Sequence, residues 1–310
     1  MKAWRPLLAW LLAAAALAWV LHGVDAHAFL RGVAAIRWSW VAAGLAFDVL
    51  SYLCQGWRWS MLFPARRLSP LQATRAIYIG LFANELFPLR LGEFIRAYLA
   101  SRWTGLGLAA VVPTLALERL MDAVWLAAGI AASAFFVPLP PLLRRAAWIL
   151  AAVAVLGLLT LLALLLRPAA GTPFLRRFQA LRTQLRDAAR SGALWRGFAA
   201  SGAILAAQIL AFWAIQRACS LPFGLGVAAV VLLVVHLGTA IPNAPANVGT
   251  YQFFVVLGLS LFGAAKSAAA AFSLVVFVLL TLPLWLLGFL ALRSTGGTFS
   301  QLRRETLAAA

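Results

Sequence analysis

Asn84-Glu85-Leu86-Phe87-Pro88-Leu89-Arg90-Leu91-Gly92-Glu93-Phe94-Ile95-Arg96 is the stretch on which the fold turns. It sets amide, carboxylate and guanidinium side chains, a proline and a glycine inside a region, 70–103, that is otherwise largely apolar. Proline removes a backbone donor and drives the residue before it out of helical conformation, so a helix entering from Gln72 breaks at Pro88. Gly92 permits a tight restart. Beyond it, Glu93 and Arg96 stand at i, i+3 on one helix face, near enough to pair.

Outward from this break the chain is a series of apolar runs. Of its 310 residues, 64% are hydrophobic and 11% charged. A bilayer explains that balance, since each spanning helix takes ~20 apolar residues. Runs of suitable length are Leu7–Leu21, Ser39–Trp57, Val111–Val137, Ala147–Leu166, Phe198–Ile215 and Ser267–Leu292. A second interrupted stretch, 224–262, contains Ile241-Pro242-Asn243-Ala244-Pro245-Ala246-Asn247-Val248-Gly249-Thr250-Tyr251-Gln252. It is polar but uncharged, and a new helix is expected near Val248.

The two interruptions look like copies. Pro88 and Gly92 recur as Pro245 and Gly249, 157 residues later. The same offset brings span 39–57 onto 196–214 and span 113–136 onto 270–293. Each half then reads span, span, hairpin, span, and an odd number of crossings inverts the second half. The expected fold is all-α and polytopic: six spanning helices plus two broken-helix re-entrant hairpins, eight or more membrane helices, in an inverted repeat. Thin spanning helix pairs in place of the hairpins would leave the sides unchanged. Residues 1–310 form one membrane domain, with half 1 about 1–137 and half 2 about 147–293. A basic linker, 167–196, joins them; Phe174, Phe178, Leu181 and Leu185 at helical spacing make it an amphipathic helix for the anionic cytoplasmic leaflet, or simply a basic loop.

Net charge is +18, and it lies between apolar spans. That distribution points to lipid headgroups and away from nucleic acid. With the N-terminus in the cytoplasm, inner segments carry 15 Lys and Arg and outer segments 6. The positive-inside rule therefore places both termini in the cytoplasm. The first 30 residues mimic a signal peptide, ending in Ala26-His27-Ala28, but the run is long enough to span and more spans follow. Cys54 and Cys219 show no metal or redox spacing.

The chain has 8 acidic residues, and Asp48, Glu85, Glu93, Glu118 and Asp122 fall in or beside apolar stretches. Charges at membrane depth are costly and face a cavity or a partner. Arg119 and Asp122 stand at i, i+3, and Glu118 and Asp122 at i, i+4. The candidate substrate-binding set is Asn84, Glu85, Pro88, Arg90, Gly92, Glu93, Arg96, Glu118, Arg119, Asp122, Asn243, Pro245, Asn247, Gly249, Thr250, Tyr251 and Gln252. His236, alone on an apolar helix, is a proton-coupling candidate. The restarted helices near Gly92 and Gly249 would aim free N–H groups and positive dipole ends at a shared cavity, which suits phosphate. Four acids against Arg90, Arg96 and Arg119 leave a formal charge of −1. The alternative is that these ions only pair to hold helices together. No H-E-x-x-H, G-x-S-x-G or Walker pattern occurs, and neither cofactor nor metal is indicated.

Asn84 through Arg96, Glu118-Arg119-x-x-Asp122 and Pro242-x-x-Pro245-x-x-x-Gly249 together resemble the lysylphosphatidylglycerol synthase transmembrane, or flippase-like domain, family. The likeness covers roughly residues 40–292. It carries the family's polar positions onto Asn84, Pro88, Gly92, Glu93, Arg96, Glu118 and Arg119. It departs at Thr250, where members often have Glu, and near Phe277, where the last span often has Arg. The resemblance implies a lipid flippase of the bacterial cytoplasmic membrane, acting on an anionic or zwitterionic headgroup. The soluble synthase domain of some members is not expected, because the chain ends soon after Arg304. Two other readings stay open: a non-transporting partner of a lipid- or glycan-modifying enzyme, and an intramembrane transferase using Glu93 or Asp122 as base.

Overall fold

A computed structural model describes residues 4–63, 68–86, 91–136, 179–240 and 245–296, with scattered positions between 138 and 163. The described chain is helical, with no strand among these residues. Its helices are α1 Trp4–Leu21, α2 Ala26–Ala34, α3 Trp38–Met61, α4 Pro70–Leu86, α5 Gly92–Thr104 and α6 Leu108–Phe136. They continue as α7 Gln179–Arg190, α8 Ala193–Ala218, α9 Leu225–Ala240, α10 Thr250–Ser260 and α11 Lys266–Arg293, with a 3-10 turn, Pro245–Asn247, between α9 and α10. The expected span 147–166 falls mostly outside the described residues, as do Pro88, Arg90 and Asn243.

Among the described residues, two helices are suited by length and composition to cross a membrane: Ala193–Ala218, with mean hydropathy 1.9, and Lys266–Arg293, with 2.6. α3 and α6 are as long, at 24 and 29 residues, but carry Asp48 and Arg58, and Glu118, Arg119 and Asp122. Large apolar side chains lie exposed along α1 (Trp10, Leu11, Leu12) and α11 (Val278, Leu282, Leu286, Leu290). An apolar surface of this extent suits acyl chains.

Both interruptions are breaks between helices. α4 opens on a reciprocal cap: the Ser69 N–H donates to Gln72 Oε1 at 3.0 Å, and the Gln72 N–H to Ser69 Oγ at 3.2 Å. Pro70 follows at the first helical position, where its missing N–H costs nothing. α4 ends at Leu86 and α5 begins at Gly92. In the second break Ala246 and Asn247 hold φ of 59° and 53°, and Gly249 holds 80°. Left-handed backbone at two non-glycine residues turns the chain sharply before α10. The restart comes at Thr250, two residues beyond the expected Val248.

Small residues set the close crossings. A Cβ on Gly92 would overlap the Gly80 carbonyl oxygen, so α4 and α5 touch backbone to backbone. A Cβ on Gly44 would stand 2.7 Å from Ile215 Cγ1, and Arg37 at the start of α3 donates its N–H to the Ala218 carbonyl at the end of α8. At the other end of α3, Arg58 reaches Ser201 near the start of α8. α3 and α8 therefore pack antiparallel. α11 lies against α4 at Gly288, where a Cβ would stand 2.9 Å from the Tyr78 carbonyl. Such approaches suit helices in lipid, where close packing replaces the hydrophobic drive between helices.

The two larger apolar cores among the described residues each draw on one interrupted region. One gathers Trp59, Leu68, Ile77, Ile79, Ile95 and Leu99 from α3 to α5, with Ala291 and Leu292 of α11. The other gathers Phe212, Val231, Val255, Leu259, Phe272 and Val276 from α8 to α11, with Val20 of α1. Two elements add to what was expected. The segment after α1 contains the short helix α2, which packs against α11. The described part of the basic linker is α7, and it docks on the bundle: Ala188 is buried with Leu62, Leu117 and Met121, leaving Arg190 exposed.

Candidate functional site

Arg58 stands near the end of α3 between Trp57 and Trp59, and it is only 2% exposed. Its guanidinium meets two other helices, α6 and α8. One nitrogen donates to Ser201 Oγ of α8 at 2.6 Å and to Asp122 of α6. The other donates to Glu118 Oε1 at 3.1 Å and to Asp122 Oδ2 at 3.3 Å. Glu118, 2% exposed, uses its second oxygen to accept from Arg96 of α5. Arg96 in turn lies over the Trp59 ring, 4.2 Å from its centroid. The Trp59 Nε1–H donates to Thr114 Oγ1 at 2.9 Å, which fixes that ring. Glu118 is thus held between two arginines, and one carboxylate joins α3, α5 and α6.

A more exposed pair borders this cluster. Arg119 donates to Glu93, with side chains 61% and 33% exposed, and Arg119 Nη1 lies 3.9 Å from Asp122 Oδ2. His236 on α9 is close enough to Asp122 to act on it electrostatically. Arg58, Arg96 and Arg119 balance Glu93, Glu118 and Asp122, so the described network is neutral. The charge of −1 expected from sequence omitted Arg58, which sits at the end of an apolar run where positive-inside counting looks for loop residues.

The structure brings Glu93, Arg96, Glu118, Arg119 and Asp122 together, with His236 nearby. Arg96 makes its described ion pair with Glu118, although the i, i+3 spacing pointed to Glu93; its side chain reaches across to α6, where the buried carboxylate is. Asn84 and Gln252 do something different. Asn84 Oδ1 accepts the Gly92 N–H at 2.8 Å, and Gln252 Oε1 accepts the Gly249 N–H at 2.7 Å. Each therefore satisfies a backbone donor at a break, and that donor is already used inside the protein. Glu85 stands apart from the ionic network: it accepts from Trp285 Nε1 of α11 at 3.4 Å. Tyr251 packs on Phe277, ring centroids 5.5 Å apart. Pro245 and Asn247 lie within the second turn and Thr250 follows it; Asn247 and Thr250 are half-buried. Pro88, Arg90 and Asn243 lie outside the described residues.

Sequence reasoning missed Arg58, Ser201, Trp59 and Thr114. A charge in the last turn of an apolar run was the available signal for Arg58. Nothing local singles out Ser201, which is 143 residues from the arginine it meets.

The arrangement balances its charges, and the Arg119–Glu93 pair is more exposed than the pairs that Glu118 makes. Among the described residues no group of three or more His, Cys, Asp or Glu side chains could hold a metal ion. A family model described as the lysylphosphatidylglycerol synthase TM region matches residues 7–288. A search of curated proteins finds no match.

Proposed function

The chain belongs to the lysylphosphatidylglycerol synthase transmembrane family, a membrane domain of lipid-related role, and from that premise we propose that it is a lipid flippase. A polar-headed lipid crosses by way of the region between the two hairpins while its tails stay in the bilayer. The observation that carries this reading is the pair of matched breaks. α5 restarts at Gly92 and α10 at Thr250, directly after Gly249, which stands 157 residues beyond Gly92. The amide of Gly92 and the amide of Gly249 are each taken by a side-chain carbonyl. The turn Pro245–Asn247 packs against α4, so the second break meets the first hairpin. Antiparallel packing of α3 and α8, helices at the same offset, supports an inverted repeat, the architecture of many secondary transporters. On this reading the membrane is a bacterial cytoplasmic membrane, both termini are cytoplasmic, and the charged face of α7 meets the anionic leaflet.

The network suggests how a headgroup is handled. Arg96 is 7% exposed and already engaged, whereas Arg119 is accessible. A phosphate can displace Glu93 from Arg119 and take two parallel hydrogen bonds from the guanidinium fork. A zwitterionic head can exchange both members of the Arg119–Glu93 pair without changing net charge.

Purified protein in proteoliposomes, with headgroup-labelled lipids and a membrane-impermeant quencher, tests the proposal. Arg119→Gln should slow translocation about ten- to a hundredfold, the loss of one charge-assisted hydrogen bond, with normal folded yield. Arg190→Gln on α7 should leave the rate unchanged. The neutral, internally paired network favours one second reading, a non-transporting partner of a lipid-modifying enzyme. No movement of any anionic or zwitterionic lipid by the wild type would move the conclusion there.

A further inference from the structure

A second polar cluster lies on α3, away from the arginines. Asp48 stands ten residues before Arg58, so ~15 Å along the helix axis. It is 6% exposed, and among the described residues its Oδ2 has no hydrogen-bond partner. No described cation pairs with it, in contrast to Glu118 between its two arginines. What surrounds it is phenolic. Asp48 acts electrostatically on Tyr52 of its own helix, Tyr78 of α4 and Tyr251 of α10. The rings of Tyr52 and Tyr78 lie 5.2 Å apart. The hydroxyls of Tyr78, itself 5% exposed, and of Tyr251 are also buried without a described partner.

We propose that Asp48, with Tyr52, Tyr78 and Tyr251, forms a proton-binding site at the meeting of α3 with the two hairpins. An ionised carboxyl in apolar surroundings costs several kcal/mol unless a cation accompanies it. The proton is the cation that these groups can hold. Calcium and magnesium take six or more oxygen ligands, and zinc favours imidazole and thiolate; one carboxyl with three phenols supplies neither set. Phenols donate and accept, so the same hydroxyls can serve the carboxyl after it gains or loses the proton. Among the described residues, Glu85 of α4 also faces the cluster and acts on Tyr52. α8 carries no titratable side chain from Gly197 to Gln216, and α11 none from Ser267 to Leu292. The position matters because the cluster joins α3 to one helix of each hairpin. A proton gained or lost there changes the charge on the contact that any relative movement of the hairpins must break. Exchange of the proton during lipid movement rests on the transport reading; binding of the proton does not.

The test uses full-length wild-type protein in lipid nanodiscs. A hydrophobic carbodiimide adds to protonated carboxyls, and peptide mass spectrometry locates the adduct. Asp48 should be labelled at acid pH, with labelling falling to background as pH rises, and sodium chloride should protect no better than choline chloride. Asp48→Asn should lose the adduct and keep its folded yield. Absence of the adduct at every pH, labelling that ignores pH, or protection by sodium alone would each overturn the site. In proteoliposomes a proton gradient should accelerate lipid movement by the wild type and not by Asp48→Asn. Gradient-independent movement with the adduct present removes the coupling and leaves the site. No movement at all, with the adduct present, removes the transport reading and leaves the site.

Discussion

Glu118 accepts from two arginines while 2% exposed, and burial determines what its loss would do. Replacing one partner of a buried pair leaves charge uncompensated at a cost of about 3–5 kcal/mol. Glu118→Gln leaves Arg58 and Arg96 facing a weaker acceptor, so it should lower the thermal unfolding midpoint sharply in detergent. The Arg119–Glu93 pair is partly exposed, and such pairs contribute about 0–1 kcal/mol. Arg119→Gln should therefore unfold close to wild type. Scanning fluorimetry of both variants checks this; equal destabilisation would mean the exposed pair is as structural as the buried one. The contrast also makes Arg119 the better probe of function, since its loss separates transport from folding. Trp59→Phe keeps a ring under Arg96 but removes the donor to Thr114. It should cost more than the ~1 kcal/mol of one hydrogen bond, because Trp59 is fully buried and the smaller ring leaves a cavity; the same fluorimetry measures it.

The breaks are properties of elements. Gly92 is where α5 starts and where its backbone meets the Gly80 carbonyl of α4. Gly92→Ala forces a methyl group onto that oxygen, so the two helices must separate. Overpacking of this kind costs about 1–3 kcal/mol, and loosening of the hairpin should appear as faster hydrogen exchange in α5 than in α8. Unchanged exchange would mean that the crossing is not tight. Gly249 differs, because its φ of 80° penalises any side chain in addition to contact with the Ala13 backbone of α1. Gly249→Ala should be the more damaging substitution of the two in folded yield. Proline and glycine announce both breaks in the sequence. The caps from Asn84 and Gln252 did not follow from it, because those residues look equally suited to a substrate.

At the scale of the whole molecule, the excess of Lys and Arg on one side predicts the orientation. With the native Cys54 and Cys219 replaced by Ala, an Arg190→Cys variant should react with an impermeant thiol reagent only from the cytoplasmic side. An Arg37→Cys variant should react only from the other. Labelling of both from one face would overturn the topology. The sequence by itself determined the helical membrane class, the neighbourhoods in which helices break and the recurrence of Pro88 and Gly92 as Pro245 and Gly249. Those features are local: hydropathy over one span, a missing amide at proline, freedom of φ at glycine. Tertiary structure alone decided which carboxylate meets which guanidinium. Arg58 finds Glu118 60 residues away and Ser201 143 residues away, and Asp48 is left among phenols with no cation beside it among the described residues. Spacing along a chain ranks neighbours on one helix. Which ions pair at depth is set by the crossing of several helices, because water is excluded there and each charge must take the partner that packing brings within reach.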